Sequence, residues 1–423
     1  EDHPLDRREG SFGYVDSFVW LYRIGGMPPA ARRLAEVNVS ALGVVTPKIV
    51  ELGANDSLRV LGYGDDSLAQ LVWTDRRPNH RGVWPRPDVV TRRLVPGGVA
   101  EASLGDGRWA VADSLLDAWV IDDGGAPRVM PVADEGARIA RSTESRVGEA
   151  LLFTTLMAPW NRTRGSLSRF TCEACHFEGA VDGRVHASGR GDVRVSTRPL
   201  RGLGNDRPYF SRALDPDLAA MVHNEFRVAG LRSRHDPWFA IGVSDAPWLA
   251  SLGVGSAPLS PEELRRSLMT FLMDFTPRPN PSVLGRRAWS EEERYGAAVF
   301  RDRCEGCHAA RLVTDRPDSE VPFAEWEHLV MSPVGPIVWA RDTREKTGVT
   351  PYVHEEGTRI PSLRRLYAKR PYFTNGSAPD LDAVLRAARF TPKGFLHEAG
   401  AGDAGDRLGD TDRAALLAFL DLL

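Results

Sequence analysis

Apolar residues follow two rhythms along this chain, and the rhythm changes near residue 143. Before that point, short runs such as "SLRVLGYG", "LAQLVWTD", "VVTRRLVPGG", "GRWAVADS" and "DAWVIDDGG" are rich in β-branched and aromatic residues, with Gly, Asp and Pro between them. Runs bounded in this way predict strands. "LRVLGYGDDSLAQLVW" and "GRWAVADSLLDAWVIDD" each read as strand, turn, strand. Residues 1–143 are therefore expected to form a β-rich segment resembling two propeller blades. Two blades cannot close a ring, so other strands must complete it or the chain is a processed piece of something longer. We expect a structural or partner-docking role there, since the segment carries no catalytic cluster.

After residue 143 the apolar spacing lengthens to that of amphipathic helices. "STESRVGEALLF" and "WSEEERYGAAVF" are two such stretches, and Ser290 with Glu293 forms a capping box in the second. "SPEELRRSLMTFLMDF" has Ser260 as N-cap, Pro261 at the first helical position and Glu263 completing the box. "DTDRAALLAFLDLL" closes the chain with leucines at helical spacing.

The same region is duplicated. "PLRGLGNDRPYFSRALDPDL" (199–218) and "SLRRLYAKRPYFTNGSAPDL" (362–381) align without a gap at an offset of 163. Leu200 pairs with Leu363, Arg201 with Arg364, Leu203 with Leu366, and Arg207–Phe210 with Arg370–Phe373. "TPRPNPSVLGRR" (276–287) is Pro-rich and reads as the linker between the copies. The expected domains are thus 1–143, 144–281 and 282–423.

Composition narrows the class. The chain has 423 residues, 26% of them charged, and a net charge of −3. That balance suggests neither nucleic acid nor an acidic membrane surface as partner. No apolar run is long enough to span a bilayer.

All 4 cysteines fall in two motifs, Cys172-Glu-Ala-Cys175-His176 and Cys304-Glu-Gly-Cys307-His308. No cysteine remains for a structural disulfide. Structural zinc prefers its cysteine pairs closer together in the chain, and no βαβ pattern surrounds either pair as a thioredoxin-type site would require. The histidine decides. With 10 His in the chain, chance would place one after both pairs about once in two thousand trials. Cys-x-x-Cys-His is the attachment sequence of c-type haem: two thiols add across the vinyl groups and the next residue offers its imidazole to the iron. Each copy then reads helix, motif, loop, Arg-Pro-Tyr-Phe turn, terminal helix. The expected fold is mainly α, two tandem cytochrome c-type haem domains preceded by the β-rich segment. Covalent haem is attached outside the bacterial cytoplasm. The chain is therefore expected to be exported, to the periplasm for example, as a mature form whose leader is gone.

Residues 144–423 resemble the bacterial di-haem cytochrome c peroxidase and MauG superfamily. The resemblance rests on both haem motifs and on "RIPSLRRLYAKRPYFTNGSAPDLDAVL" (359–385); "CEACHFEGAVDG" and the stretch from 277 to 308 look like its propeller-linked subgroup. It implies two covalent c-type haems with His176 and His308 as proximal ligands, and it allows a bridging Ca²⁺. It also implies hydrogen peroxide as substrate, with a redox partner protein or small electron donor. The superfamily includes peroxide reducers, enzymes that oxidise a partner protein, and rubber oxygenases. Its usual second-haem ligand, Met or Tyr, falls near Ala388, which cannot ligate. His397 is the nearest competent side chain, and Met331 the next.

For the first haem, "AAMVHNEF" supplies Met221, His223 and Glu225. A carboxylate or imidazole there could move a proton between peroxide oxygens. His235 is a rival sixth ligand, and Trp238 a candidate electron relay. Arg201 and Arg364, at one repeat position, suit haem propionates. Two readings compete: an enzyme with one electron-transfer haem and one peroxide-reactive haem, or a pure electron-transfer cytochrome with both irons six-coordinate.

Overall fold

The computed structural model describes residues 17–53, 57–132, 141–157, 171–187, 194–204, 206–210, 215–230, 239–313, 320–346, 355–391, 394–397 and 405–423. Among the described residues helices make up only 29% and strands 26%, in several antiparallel sheets. The expectation of a mainly α chain with two tandem haem domains is therefore overturned. The helical stretches exist but are short, and 40 Gly and 30 Pro interrupt what lies between them. Proline removes a helical donor and glycine costs backbone entropy, so turns and hairpins fill that volume instead.

The chain forms two compact units, Glu1–Ala174 with Asn224–Phe271, and Cys175–His223 with Leu272–Leu423. This partition cuts across the span 144–281 and through the first Cys-x-x-Cys-His motif.

In the first unit, β1 (Phe18–Gly25) and β2 (Ala30–Asn38) form a hairpin. Two four-stranded antiparallel meanders follow. One is β3 (Pro47–Leu52), β4 (Leu58–Gly62), β5 (Ser67–Val72) and β6 (Asp88–Arg93). The other is β7 (Gly98–Gly105), β8 (Arg108–Asp113), β9 (Ala118–Asp122) and β10 (Arg128–Pro131). The two hairpins legible in the sequence are the central pairs of these sheets.

Alternation places Leu58, Val60, Ala69 and Leu71 in the core with Trp73. A buried ion network ties the sheets together: Arg59 on β4 meets Glu101 at 3.0 Å and Asp122 at 3.1 Å, and stacks on Trp109 at 4.4 Å. Such a network is strongly destabilising to break, because removing one partner strands the others in low dielectric.

Helix α1 (Thr143–Phe153) starts at Ser142, whose side chain accepts from Ser145 N. It docks on the β part through Arg146, which donates to Leu116 O, and through Phe153 against Tyr63. Helix α2 (Leu218–Gly230) leads the chain from the second unit back into the first. Helix α3 (Pro261–Asp274) crosses α1 so closely that a Cβ on Gly148 would lie 2.0 Å from Ser267 O.

The second unit contains α4 (Glu291–Arg303), α5 (Phe323–Val330), α6 (Leu381–Ala387) and α7 (Asp410–Leu420). Three small hairpins accompany them: β11 (Val185–Ala187) with β12 (Arg194–Ser196), β13 (Arg344–Glu345) with β14 (Thr358–Arg359), and β15 (Arg389–Thr391) with β16 (Gly394–Leu396). The Ser290–Glu293 box caps α4 as read. Here the close crossing recurs, with Gly296 of α4 against Ala415 O of α7. Gly148 and Gly296 both stand six residues after their capping serines. Phe300, Trp326, Trp339 and Phe419 form an aromatic cluster with ring centroids 4.8–6.3 Å apart.

Candidate functional site

Helix α4 ends at Cys304, so the second motif begins where the helix stops. Cys307 N and His308 N both donate to Cys304 O, at 3.1 and 2.9 Å, which coils the five residues into one turn. The His308 ring is buried beside Phe300 of the aromatic cluster. Its Nδ1 donates to Trp339 O at 3.2 Å, fixing the tautomer that presents Nε2. The hairpin β15–β16 delivers His397. Its ring centroid lies 6.0 Å from that of His308, with the planes at 79°, and 6.0 Å from that of Phe373.

An iron held by one nitrogen of each ring, about 2 Å from each, would set the ring centres about 6 Å apart. Burial pushes the pKa of His308 down to about 4. Burial, and then the His308 charge, push His397 down to about 3. Both rings are thus neutral, the form that offers a lone pair to a metal. Ala388 caps α6 and is fully buried; Met331 caps α5 and belongs to the hydrophobic core.

In the first motif, Cys172 begins a short 3₁₀ turn, Cys172–Ala174. Within the first unit, buried Glu173 pairs with Lys48 of β3 at 2.7 Å, and Lys48 also lies over the Tyr63 ring at 3.8 Å. The β-rich segment thus holds one residue of the motif. His176 Nδ1 donates to Arg198 O at 2.8 Å, and burial pushes its pKa down to about 4. All four cysteines are free of disulfides. Among the described residues, Cys175, Asp182 and His186 are the one His/Cys/Asp/Glu group close enough to share a metal. His186 Nε2 lies 2.6 Å from Asp182 Oδ2.

The Arg-Pro-Tyr-Phe copies fold alike. Tyr209 and Tyr372 each donate through Oη at 3.1 Å, to Leu203 O and Leu366 O. Bridges join Tyr209 to Asp215 and Tyr372 to Ala378, and Phe210 and Phe373 have φ of 60° and 62°. The copies are also cross-linked by two arginines. Arg198 donates to the carbonyls of Lys369 (3.3 Å), Pro371 (3.1 Å) and Phe373. Arg359 donates to those of Asp206 (3.3 Å) and Pro208 (2.6 Å). The acceptors Asp206 and Pro208 stand at the repeat positions of Lys369 and Pro371.

Between the turns lies a buried cationic cluster. Asp206 pairs with Arg365 at 2.9 Å, and its charge also acts on Arg311, Arg359, Arg364 and Lys369. Burial, then the charge of Arg365, pushes Lys369 well below its usual pKa. Among the described residues, Arg365 Nε and Nη1 and Asp206 Oδ1 have no hydrogen-bond partner. Arg365, buried and with Nε and Nη1 unpartnered, is left with donors that an anionic group would satisfy. A haem propionate is such a group, so these donors fit one.

Arg364 gives three N–H groups to backbone carbonyls, those of Gly335, Gly202 and Val334. Arg201 donates to Glu178 O and stacks on Phe275 at 4.2 Å. The sequence reading missed Arg198, Arg359, Arg365, Lys369 and Asp206. The Thr-Arg pairs at 197–198 and 358–359 were a signal, hidden because they align only after a two-residue gap.

Helix α2 carries Met221, His223 and Glu225. Residues two apart on a helix lie about 200° round its axis, so His223 and Glu225 do not share a face. Glu225 instead shares one with buried Met221, four residues earlier. His235 and Trp238 lie outside the described residues. Among the described residues no helix is long and apolar enough to cross a membrane.

No protein-family model and no curated protein matches the chain. Among solved structures, it is similar to hydrazine synthase of Kuenenia stuttgartiensis pressurized with xenon, at 15% identity over 71% of this chain and 100% of that one, with a TM-score of 0.40. It is also similar to a MauG-like protein associated with microbial copper homeostasis, at 17% identity over 69% of this chain and 91% of that one, again with a TM-score of 0.40. Likeness at this level does not bear on the chemistry.

Proposed function

We propose that this chain is an exported c-type haem oxidoreductase carrying two covalent haems, one through Cys172 and Cys175 and one through Cys304 and Cys307. His176 and His308 would each offer an imidazole to the iron of their haem, and His397 would offer a second one at the His308 site. The observation that carries the reading is the pair of neutral imidazoles, His308 and His397, at a ring separation of 6.0 Å beside a Cys-x-x-Cys turn. A bound haem supplies one-electron chemistry and, where its iron keeps an open position, a place for peroxide.

The chain's own residues then divide the labour. Trp339 O and Arg198 O orient the two proximal rings through Nδ1. Arg365, unpartnered at Nε and Nη1, would hold a propionate carboxylate. His397 closes the His308 site, which suits it to electron transfer. Hydrogen peroxide would be taken at the His176 site, and Glu225 is the carboxylate that the sequence offers for its proton. Peroxide is either reduced with electrons from a donor or used to oxidise a partner protein.

Denaturing electrophoresis with haem stain, and intact mass, should show two covalent haems per chain. A mass of apoprotein, or of apoprotein plus zinc, would refute the reading. Mixing resting and half-reduced protein with H₂O₂ then decides between the two functions. A spectral change at one haem, lost in Glu225→Gln, supports the enzyme. If no high-spin haem exists in either state and peroxide leaves both spectra unchanged, the protein is an electron carrier.

A further inference from the structure

One residue touches both ligand sites. Arg198 offers its backbone carbonyl to His176 Nδ1 at 2.8 Å. Its guanidinium, pointing the other way, gathers the carbonyls of Lys369, Pro371 and Phe373. The Phe373 ring stands 6.0 Å from that of His397, which faces His308. A planar fork can satisfy several carbonyls at once in fixed geometry, which a flexible ammonium cannot. Phe373 needs such holding, because its φ of 62° is a left-handed conformation that a bulky residue does not adopt unaided. The carbonyl bonds from Arg198 fall on the backbone of this strained turn.

We propose that Arg198 is a positioning residue that ties the two ligand sites together: its carbonyl orients His176 while its guanidinium holds the Phe373 turn against His397. The inference rests on the two-haem reading above. Arg359 provides the internal comparison. It makes the same kind of clasp on the other turn, through Asp206 O and Pro208 O, but the bonds it makes are to neither His397 nor Phe373.

The experiment uses the haem-loaded full chain and compares Arg198→Ala with Arg359→Ala. Intact mass first establishes haem content, so loss of haem in the unaltered protein would count against the two-haem reading and not against Arg198. Both variants are expected to melt earlier than the unaltered protein. Only Arg198→Ala should loosen His397, so azide should displace that ligand at about tenfold lower concentration, the usual effect of losing a partner just outside a metal's ligands. The potential of the His176 haem should rise in the same variant, since a weaker bond at Nδ1 makes the imidazole a poorer donor to ferric iron. Arg198→Lys, which keeps the charge but not the fork, should fall between. If Arg198→Ala matches Arg359→Ala in azide titration and in both potentials, Arg198 is a structural clasp only and the proposal is wrong. Should Arg198→Ala fail to fold, the lysine variant decides alone: a shift in azide affinity supports the proposal and an unchanged titration overturns it.

Discussion

Gly296→Ala tests whether α4, the helix that leads into Cys304, depends on close backbone approach. A Cβ at Gly296 would sit 1.9 Å from Ala415 O, 2.5 Å from its carbonyl carbon and 3.0 Å from Phe419 Cβ. An ordinary carbon–oxygen contact is about 3.3 Å, so α4 and α7 must part by more than 1 Å, because the obstructing atoms are backbone. A gap of that size forfeits a quarter to a half of the dispersion energy of the atoms it separates. Those atoms belong to Phe300, Leu416 and Phe419, the centre of the second unit's core. Overpacking of this kind costs about 1–3 kcal/mol or more.

Alanine regains about 1 kcal/mol of helix propensity over glycine. With the clash falling on backbone atoms the upper end of that cost, about 3 kcal/mol, applies, so the expected net loss is about 2 kcal/mol and Tm falls by about 4–8 °C in a unit of this size. Calorimetry measures the loss. Because α4 runs directly into Cys304, displacing it also shifts His308 relative to His397, so the low-spin ferric signal should weaken in parallel. Gly255→Ala, where nothing lies within 4 Å of the added carbon, is the neutral control. A Gly296→Ala protein as stable as the original, or more stable, would show that propensity outweighs the crossing and refute the argument.

Two further outcomes are expected. His397→Ala should convert a low-spin ferric spectrum to high-spin and raise the potential, since an imidazole that favours ferric iron is lost; an unchanged spectrum would remove His397 from the coordination sphere. Asp113 is buried at the end of β8, accepts from Leu116 N at 2.8 Å, and is pushed up to about 7 by burial. The folded state therefore holds this proton where the unfolded chain has released it, so stability falls as pH rises from about 4 through 7, by up to about 4 kcal/mol. Asp113→Asn should flatten the difference in Tm between pH 5 and pH 8, and an identical pH profile in the variant would disprove the assignment.

The sequence by itself determined what depends on short spans. Cys172–His176 and Cys304–His308 can be read for an expected chemistry because five neighbouring residues contain the whole motif. Caps such as Ser290 with Glu293 involve one helical turn, and the two β-hairpins involve adjacent runs. The duplication was legible as well, since Tyr209 and Tyr372 repeat both in letter and in the hydrogen bond they make. Tertiary structure alone decided the balance of helix and strand, because periodicity marks where a helix is and not how much of the surrounding chain stays irregular. It also decided what Arg198, Arg359 and Arg365 do: their acceptors lie more than 150 positions away in the chain, so beyond the gapped Thr-Arg repeat of the first two no stretch of sequence reveals them. His223 and Glu225 show the same limit from the other side. Only two positions apart in sequence, they are separated by the helix itself, which turns such residues onto different faces.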